Sequence, residues 1–251
     1  MASGTYRWLA KYYDLLFEFR RPFEAARERV IGPLLPRVAS ACDLCCGTGT
    51  LACLFAARGI RTFAVDLSPH MCRLARGKAR RAALPVRVLR ADMRDFRLPE
   101  AVDLVTCQFD ALNHVPRRQD LRRVLRSVAR ALQPGGHFAF DVNNRLSFEE
   151  LWPGAWFVDK DPVVMIMHGG HKPGTDRAWT DVEWFERAGR CWKRYHEHVE
   201  EVCWTNEEMR AALAAAGFDN LREWDSAPFF EAPLNRPGIR TFWLARKGKP
   251  R

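Results

Sequence analysis

A short stretch, residues 41–51 (ACDLCCGTGTL), constrains the fold of this chain more than any other part of the sequence. Its apolar beginning predicts a buried strand that carries Asp43. Gly47 and Gly49 follow, and glycine is favoured where the backbone takes a positive φ or approaches a ligand closely. The apolar run Leu51–Ala57 then predicts a helix whose first N–H groups point at whatever binds in front of it. The stretch therefore predicts a nucleotide-type pocket at the carboxyl end of a strand.

The same glycines also satisfy the pattern of a dinucleotide-binding turn. Gly47-x-Gly49-x-x-Ala52 matches the fingerprint that places a pyrophosphate at a helix N-terminus. An NAD- or FAD-dependent oxidoreductase is therefore an alternative that this turn leaves open.

Four motifs in a fixed order favour a different cofactor. They are Asp43 before the glycines, Asp66 after the strand Arg61–Val65, the Asp92–Met93 pair after the strand Val86–Arg90, and the turn Leu132–Gly136 before the strand Phe138–Val142. This ordered set resembles the class I S-adenosylmethionine (SAM) dependent methyltransferases. The resemblance covers nearly the whole chain apart from one insertion.

The resemblance implies an α/β fold with a doubly wound, mostly parallel, seven-stranded sheet of the Rossmann-like methyltransferase type. It also implies SAM as the cofactor, bound across the carboxyl ends of the strands. We expect an N-terminal helical lid over this site and a small antiparallel sheet inserted after the fifth strand. A capping box at Thr205–Glu208 begins the next helix. The last two strands, Phe218–Trp224 and Arg240–Ala245, are expected to pair antiparallel.

In the methyltransferases that this chain resembles, each motif contacts one part of SAM. Gly47 and Gly49 would admit the methionine portion, and Asp66 would accept hydrogen bonds from both ribose hydroxyls. Asp92 would accept from the adenine amino group, with Met93 packed on the ring. The expected cofactor contacts are Tyr13, Arg20, Cys45, Gly47, Thr48, Gly49, Asp66, Leu67, Met71, Asp92, Met93, Gln108 and Phe109.

An aromatic, amphipathic stretch at residues 5–19 precedes the first strand, and a second helix is expected over residues 22–40. The pair Tyr13–Asp14 matches a Tyr-Asp segment that closes over the cofactor in small-molecule methyltransferases. A tyrosine suits this place because the face of its ring attracts a sulfonium cation. The alternative is a helix that only docks on the core.

The segment Gln108–His114 follows the predicted strand Val102–Cys107, which places it beside the transferable methyl group in the fold that the chain resembles. His114 is the candidate catalytic base, because imidazole titrates near neutral pH and can accept a proton from an amine or a hydroxyl. Packing beneath the loop, or capping the next helix, is the alternative role. Methyl transfer depends mainly on in-line positioning, so no metal is expected.

The alternation of helices and strands stops at residue 145. Four runs with alternating polarity follow and predict an antiparallel sheet. They are Ala155–Lys160, Val163–His168, Trp179–Arg187 and Cys191–Cys203. We therefore divide the chain into a SAM-binding domain (1–144 and 205–251, with the lid at 1–40) and an inserted β subdomain (145–204). In similar sugar-amine and glycine N-methyltransferases such an insert walls the substrate pocket or forms a homodimer interface, and both roles stay open.

Two residue clusters suggest metal or disulfide chemistry without requiring it. His196 and His198 share one face of a predicted strand, but a metal site needs three or four converging ligands, so exposed histidines are expected. The cysteines fall largely at apolar positions, where small buried thiols are common. We expect them to be reduced.

A net charge of +10 raises the question of a nucleic-acid partner. The arginines of residues 118–130 lie opposite an apolar stripe, as on a solvated helix face, and no aromatic residues interleave with them for base stacking. We therefore expect no nucleic-acid partner. The sequence contains no run of 18 apolar residues and no apolar signal core, which predicts a soluble, cytoplasmic protein without membrane contact.

The expected function is SAM-dependent methylation of a small-molecule acceptor at nitrogen or oxygen, with release of S-adenosylhomocysteine (SAH). An RNA methyltransferase and a non-catalytic SAM-fold binding protein are the alternatives.

Overall fold

The computed structural model describes residues 9–16, 21–232 and 234–248. Its strands are β1 (Ser40–Leu44), β2 (Arg61–Asp66), β3 (Val86–Arg90), β4 (Val102–Cys107), β5 (Leu132–Asn143), β6 (Gly154–Lys160), β7 (Val163–His171), β8 (Arg177–Ala188), β9 (Cys191–Val202), β10 (Phe218–Asp225) and β11 (Arg240–Lys247). Its helices are α1 (Tyr13–Leu16), α2 (Arg21–Ile31), α3 (Thr50–Ala57), α4 (Pro69–Arg81), α5 (Arg118–Ala131), α6 (Arg145–Glu150) and α7 (Asn206–Ala215). None of the helices in these ranges has the length and apolar character that crossing a membrane requires.

Seven strands form one sheet in the order β10-β11-β5-β4-β1-β2-β3. β11 runs antiparallel to both of its neighbours, and the other neighbouring strands are parallel. All five residues of β1 are buried, as expected for a parallel strand covered by helices on both faces. The strand order reverses between β1 and β4, which opens a crevice at their carboxyl ends. The predicted doubly wound fold is confirmed, including the antiparallel last pair.

The insert is a separate antiparallel sheet in the order β6-β7-β8-β9. All four predicted runs are strands, with bounds within three residues of the prediction. Val163, Met165 and Trp184 form part of its buried face and pack with Tyr12 and Tyr13 of the N-terminal segment. The insert is therefore in contact with the N-terminal segment. It also contacts β5, through the bond between Asn143 and Glu201, and α6, through β7.

The fifth strand begins earlier than predicted. Leu132 already pairs with Val102, and the register then shifts before His137 pairs with Leu104. The segment Leu132–Gly136, predicted as a turn before the strand, is therefore the irregular beginning of β5.

The second helix is shorter than the predicted range of residues 22–40. α2 ends at Ile31, and a short 3-10 helix follows at Leu35–Arg37. Gly32 and Pro33 come directly after α2. The ring of a proline clashes with the residue before it, so Pro33 disfavours helical backbone angles at Gly32. The predicted range was wrong because the helix ends before this pair.

The beginning of α3 packs closely against α4. Gly49 is the N-cap residue of α3 with a φ of +78°, and a Cβ atom at this position would lie 2.8 Å from the Cβ of Ala75. Glycine is therefore required here both for the backbone angle and for the close approach of the two helices.

We expect Gly49→Ala to lower the free energy of unfolding by about 2–4 kcal/mol, because it combines backbone strain with steric overlap. Gly59→Ala is the matched control, since Gly59 also has a φ of +78° but no atom lies within 4 Å of the added Cβ. That variant should lose only the backbone contribution of about 1–2 kcal/mol. Urea unfolding of both variants measures the difference, and equal losses would contradict the packing role of Gly49.

Candidate functional site

An open cleft lies at the carboxyl ends of β1, β2 and β4. The empty volume of the cleft, including the part that is open to solvent, is about 1240 Å³. Its wall is formed by the N-terminal segment, α2, the glycine turn, the strand ends and the loop after β4. The residues are Tyr13, Phe23, Glu24, Arg27, Asp43, Cys45, Cys46, Gly47, Thr48, Thr50, Leu51, Leu54, Asp66, Leu67, Ser68, Met71, Gln108, Phe109, Ala111 and His114.

Most of the residues predicted from the sequence meet in this cleft. Those along its wall are Tyr13, Cys45, Gly47, Thr48, Asp66, Leu67, Met71, Gln108, Phe109 and His114. Gly49, Asp92 and Met93 do not line it, and Arg20 lies outside the described residues.

Asp66 joins the glycine turn to the beginning of α4. Its Oδ2 accepts a hydrogen bond from the main-chain N–H of Gly47 at 2.9 Å, and its Oδ1 accepts from that of Ser68 at 2.8 Å. Ser68 caps α4 by accepting a hydrogen bond from the main-chain N–H of Met71 at 3.4 Å. Burial raises the pKa of Asp66, while the two N–H groups oppose this rise by stabilising the carboxylate. Asp66 therefore has a structural role at the predicted ribose position.

Because of this structural role, Asp66→Ala would change stability together with affinity, so asparagine is the sharper substitution. We expect Asp66→Asn to weaken SAM binding at least about tenfold, because the amide loses the charge and one acceptor oxygen. Calorimetric titration with SAM measures the change, and unchanged affinity would contradict the ribose assignment.

Asp103→Asn is the matched control for this experiment. Asp103 also accepts two main-chain hydrogen bonds, from Ala39 at 3.0 Å and Ser40 at 2.9 Å, but at the opposite end of the sheet. The control should lose less stability than Asp66→Asn, because all of its bonds fall on Oδ2 and an asparagine oxygen can still accept them, and it should keep the SAM affinity of the unmodified protein.

Asp92 follows β3 but its carboxylate is already bound. Arg94 contacts both oxygens, with Nε 3.0 Å from Oδ1 and Nη2 2.6 Å from Oδ2. These bonds lower the pKa of Asp92. Met93 is buried in the core, with its sulfur 3.7 Å from Sγ of Cys45. The adenine contacts expected of Asp92 and Met93 stay predictions.

A polar cluster holds the N-terminal segment at the edge of the cleft. Asp14 accepts a hydrogen bond from the hydroxyl of Thr48 at 2.7 Å and forms an ion pair with Lys78 at 2.7 Å. Lys78 also donates to the hydroxyl of Thr50 at 2.6 Å. These bonds fix Tyr13, the neighbour of Asp14, at the cleft wall. Sequence reasoning missed Lys78 and Thr50, because no local motif indicates a contact between such distant parts of the chain.

The same segment is bound to the insert through Glu186. Tyr12 donates to Oε1 of Glu186 at 2.7 Å, Tyr195 donates to Oε2 at 3.2 Å, and Lys11 forms an ion pair with the same carboxylate. The N-terminal segment therefore lies beside the cleft between two partners, the glycine turn with Lys78 of α4 on one side and the insert on the other.

The loop after β4 has an unusual backbone that Asp141 stabilises. Phe109 and Asp110 are consecutive residues with φ of +57° and +48°. Non-glycine residues in this conformation cost about 1–2 kcal/mol each. Asp141 accepts hydrogen bonds from both main-chain N–H groups at 2.9 Å, and Arg240 contacts Asp141 as well as Oδ1 of Asp110. Sequence reasoning did not include Asp141 or Arg240 in the site.

His114 lies at the end of this loop, with 9% of its side chain exposed. Burial lowers the pKa of His114, so the imidazole is neutral at pH 7. Glu201 of β9 lies beside it, with Oε1 3.9 Å from Nε2. The preceding residue, Asn113, is fully buried and donates to the carbonyls of Asn143 at 3.0 Å and Val202 at 2.9 Å. These bonds fix the position of His114 relative to both β5 and the insert.

His196 and His198 lie on the exposed side of the insert. Both contact Oδ1 of Asp181, at 3.1 Å and 2.7 Å, and neither lines the cleft.

Known proteins resemble this chain in sequence and in fold. A family model for "Methyltransferase domain" matches residues 41–136. YqeM of Bacillus subtilis, named only as a methyltransferase, is 28% identical over 97% of this chain and 98% of its own length. The dTDP-3-amino-3,4,6-trideoxy-alpha-D-glucopyranose N,N-dimethyltransferase of Streptomyces venezuelae is 32% identical over 94% of this chain and 91% of its own. The crystal structure of an S-adenosylmethionine-dependent methyltransferase from Clostridium acetobutylicum has a TM-score of 0.80 at 24% identity, over 97% of this chain and 99% of that one.

The chain belongs to the class I SAM-dependent methyltransferases. This membership confirms the predicted enzyme class and cofactor, and the NAD or FAD alternative drops out.

Proposed function

We propose that this protein transfers the methyl group of SAM to a nitrogen atom of a small-molecule acceptor and releases SAH. The observation that carries the proposal is a single cleft whose wall includes Asp66, Tyr13 and His114. The proposed cofactor-binding carboxylate and a neutral imidazole thus lie in the wall of one open cleft. A hydroxyl acceptor is the second candidate, because a neutral imidazole can also take a proton from oxygen.

The described residues fit the cofactor chemically. SAM supplies a methyl group on a positively charged sulfur. The carboxylate of Asp66 would accept from the ribose, and Gly47 presents main chain without a side chain to the methionine portion. The ring of Tyr13 lies 4.0 Å from where a Cβ on Gly47 would be, so a larger residue there would narrow the cleft. Gln108 and Phe109 would wall the sulfonium end.

His114 is the residue that we propose as the base. An amine that attacks the methyl group must be unprotonated, and the product nitrogen carries a proton that must leave. A neutral imidazole at the cleft wall can accept a proton from the bound amine, and general-base catalysis contributes about 10²–10⁴-fold in rate when this proton transfer takes place in the transition state. The Streptomyces venezuelae relative is named as an N,N-dimethyltransferase of a dTDP-linked amino sugar, which supports an amine acceptor.

We propose further that residues 145–204 form a subdomain that supports the acceptor side from behind the cleft wall, through contacts with Tyr13 and His114. Residues 1–144 and 205–251 would form the SAM-binding domain, with a lid at 1–40. Phe157 and Trp192 lie on the same face of the insert, on its two edge strands β6 and β9, and their side chains are 65% and 46% exposed. Large exposed apolar groups are typical of interaction surfaces, so we propose a homodimer through this face. A solution mass of one chain in light scattering would contradict it.

The proposed function is tested with methyl-labelled SAM and a panel of acceptors. The panel contains nucleotide-linked amino sugars, simple primary amines, small phenols and bulk tRNA. We expect SAH formation with at least one small amine and none with tRNA. Transfer to tRNA alone would favour the RNA methyltransferase alternative, and SAH binding without transfer to any acceptor would favour the non-catalytic one.

We expect His114→Gln to lower kcat/KM for the best small amine by about a hundredfold or more, because the proton acceptor is lost. SAM affinity should stay unchanged. His168→Gln, an exposed histidine of the insert, is the matched control and should keep full activity. Full activity of His114→Gln would remove the proposed base.

A further inference from the structure

A second layer of charged groups lies behind His114. Asp110 comes from the loop after β4, and Glu201 comes from β9 of the insert. One ring nitrogen of His114 and one oxygen of each carboxyl group lie within 4.8 Å of one another. Neither Asp110 nor Glu201 lines the cleft, so neither contacts the acceptor in the proposed function.

The contacts of this cluster define its charge. Arg240 forms ion pairs with Asp110 and Asp141, and Asn143 donates to Oε2 of Glu201 at 3.5 Å. Burial, and then the neighbouring Asp110, raise the pKa of Glu201 well above its usual range. With Glu201 protonated, the positive charge of Arg240 balances one of the two remaining carboxylates. The cluster around a neutral imidazole therefore keeps a single net negative charge.

We propose, on the basis of the methyl transfer proposed above, that Asp110 and Glu201 together serve as the counter-charge of His114. When the acceptor nitrogen attacks, the bond between nitrogen and the methyl carbon forms as the bond between carbon and sulfur breaks. The proton that the nitrogen then releases passes to the imidazole. His114 becomes positively charged, and the negative charge of the carboxyl pair balances it. Asp110 and Glu201 are positioning residues, because they act through His114.

An imidazole and two carboxyl groups can also bind a divalent cation, and the charges of this cluster disfavour such a cation. Arg240 lies 2.9 Å from Oδ1 of Asp110, so a positive group already occupies this side of the cluster. A divalent ion placed beside it would be repelled. A counter-charge for His114 is needed only when the acceptor loses an N–H or O–H proton. We therefore expect the acceptor to be an amine or a hydroxyl compound that carries such a proton.

The experiment measures the pKa of His114 directly, without any acceptor. Imidazole nitrogen resonances of the full-length protein, labelled with ¹⁵N at histidine, are followed against pH, and His114→Gln assigns the signal. Glu201→Gln should leave the pKa of His114 nearly unchanged, because Asp110 stays beside the imidazole, and Asp110→Asn should lower this pKa by less than the double variant does, because Glu201 remains as a second carboxyl group. The double variant should lower it by about one pH unit or more, because the counter-charge is gone. Glu200→Gln changes the exposed neighbour of Glu201 and should have no effect.

An unchanged pKa in the double variant would overturn the proposal, and so would single losses that add up to the double one. Selective broadening of the His114 signal by Mn²⁺ would overturn it in favour of a metal site. Unaltered signals from the other histidines show that the variants fold.

If the double variant does not fold, infrared spectra at pH 7 decide the question. A band from a protonated carboxyl group that is lost in Glu201→Gln and kept in Glu200→Gln supports the charge arrangement around His114, and no difference overturns it. Adding SAH to the same NMR samples tests the proposed function separately. Signals of His114 that do not respond to SAH would count against this cleft as the SAM site, whatever the pKa pattern shows.

Discussion

Carboxylates at strand ends that bind main-chain N–H groups are the interactions on which this site depends. Asp66 ends β2 and holds the N–H groups of Gly47 and Ser68, so the glycine turn and the beginning of α4 keep fixed positions. Asp141 of β5 holds Phe109 and the residue after it in the same way. Charged acceptors form stronger hydrogen bonds than neutral ones, which suits loops whose backbone angles are otherwise unfavourable. On both sides of the cleft, a carboxylate that accepts two main-chain hydrogen bonds therefore holds a loop in place.

Asp141 depends in turn on Arg240, and this pair shows how the last strand contributes to the site. β11 lies beside β5 in antiparallel register, which brings Arg240 opposite Asn143 and next to Asp141. A buried carboxylate without a partner is costly, and removing one member of such a pair costs about 3–5 kcal/mol. The antiparallel strand β11 thus stabilises the loop after β4, which lines the cleft.

Local sequence patterns were sufficient to predict the strands of the main sheet, the glycine turn and the position of Asp66 at the end of β2. Each of these depends on residues close together in sequence, such as a turn that only glycine allows. The Arg94 contact of Asp92 is also local, and a basic residue two positions later was a signal that the sequence reading overlooked. The contacts of Lys78 and Glu201 could not be predicted in this way. They form only when α4 packs against the N-terminal segment and β9 packs against the loop after β4. These segments are far apart in the sequence, so no local pattern indicates that they are in contact.

We propose that one cleft holds the cofactor at Asp66 and opens toward His114. A crystal structure of the full chain with SAH tests this proposal most directly. We expect the ribose hydroxyls to contact Asp66, the homocysteine portion to lie over Gly47, and open space to lead from the sulfur to the imidazole of His114. A ribose placed away from Asp66, or a sulfur separated from His114 by protein atoms, would contradict it.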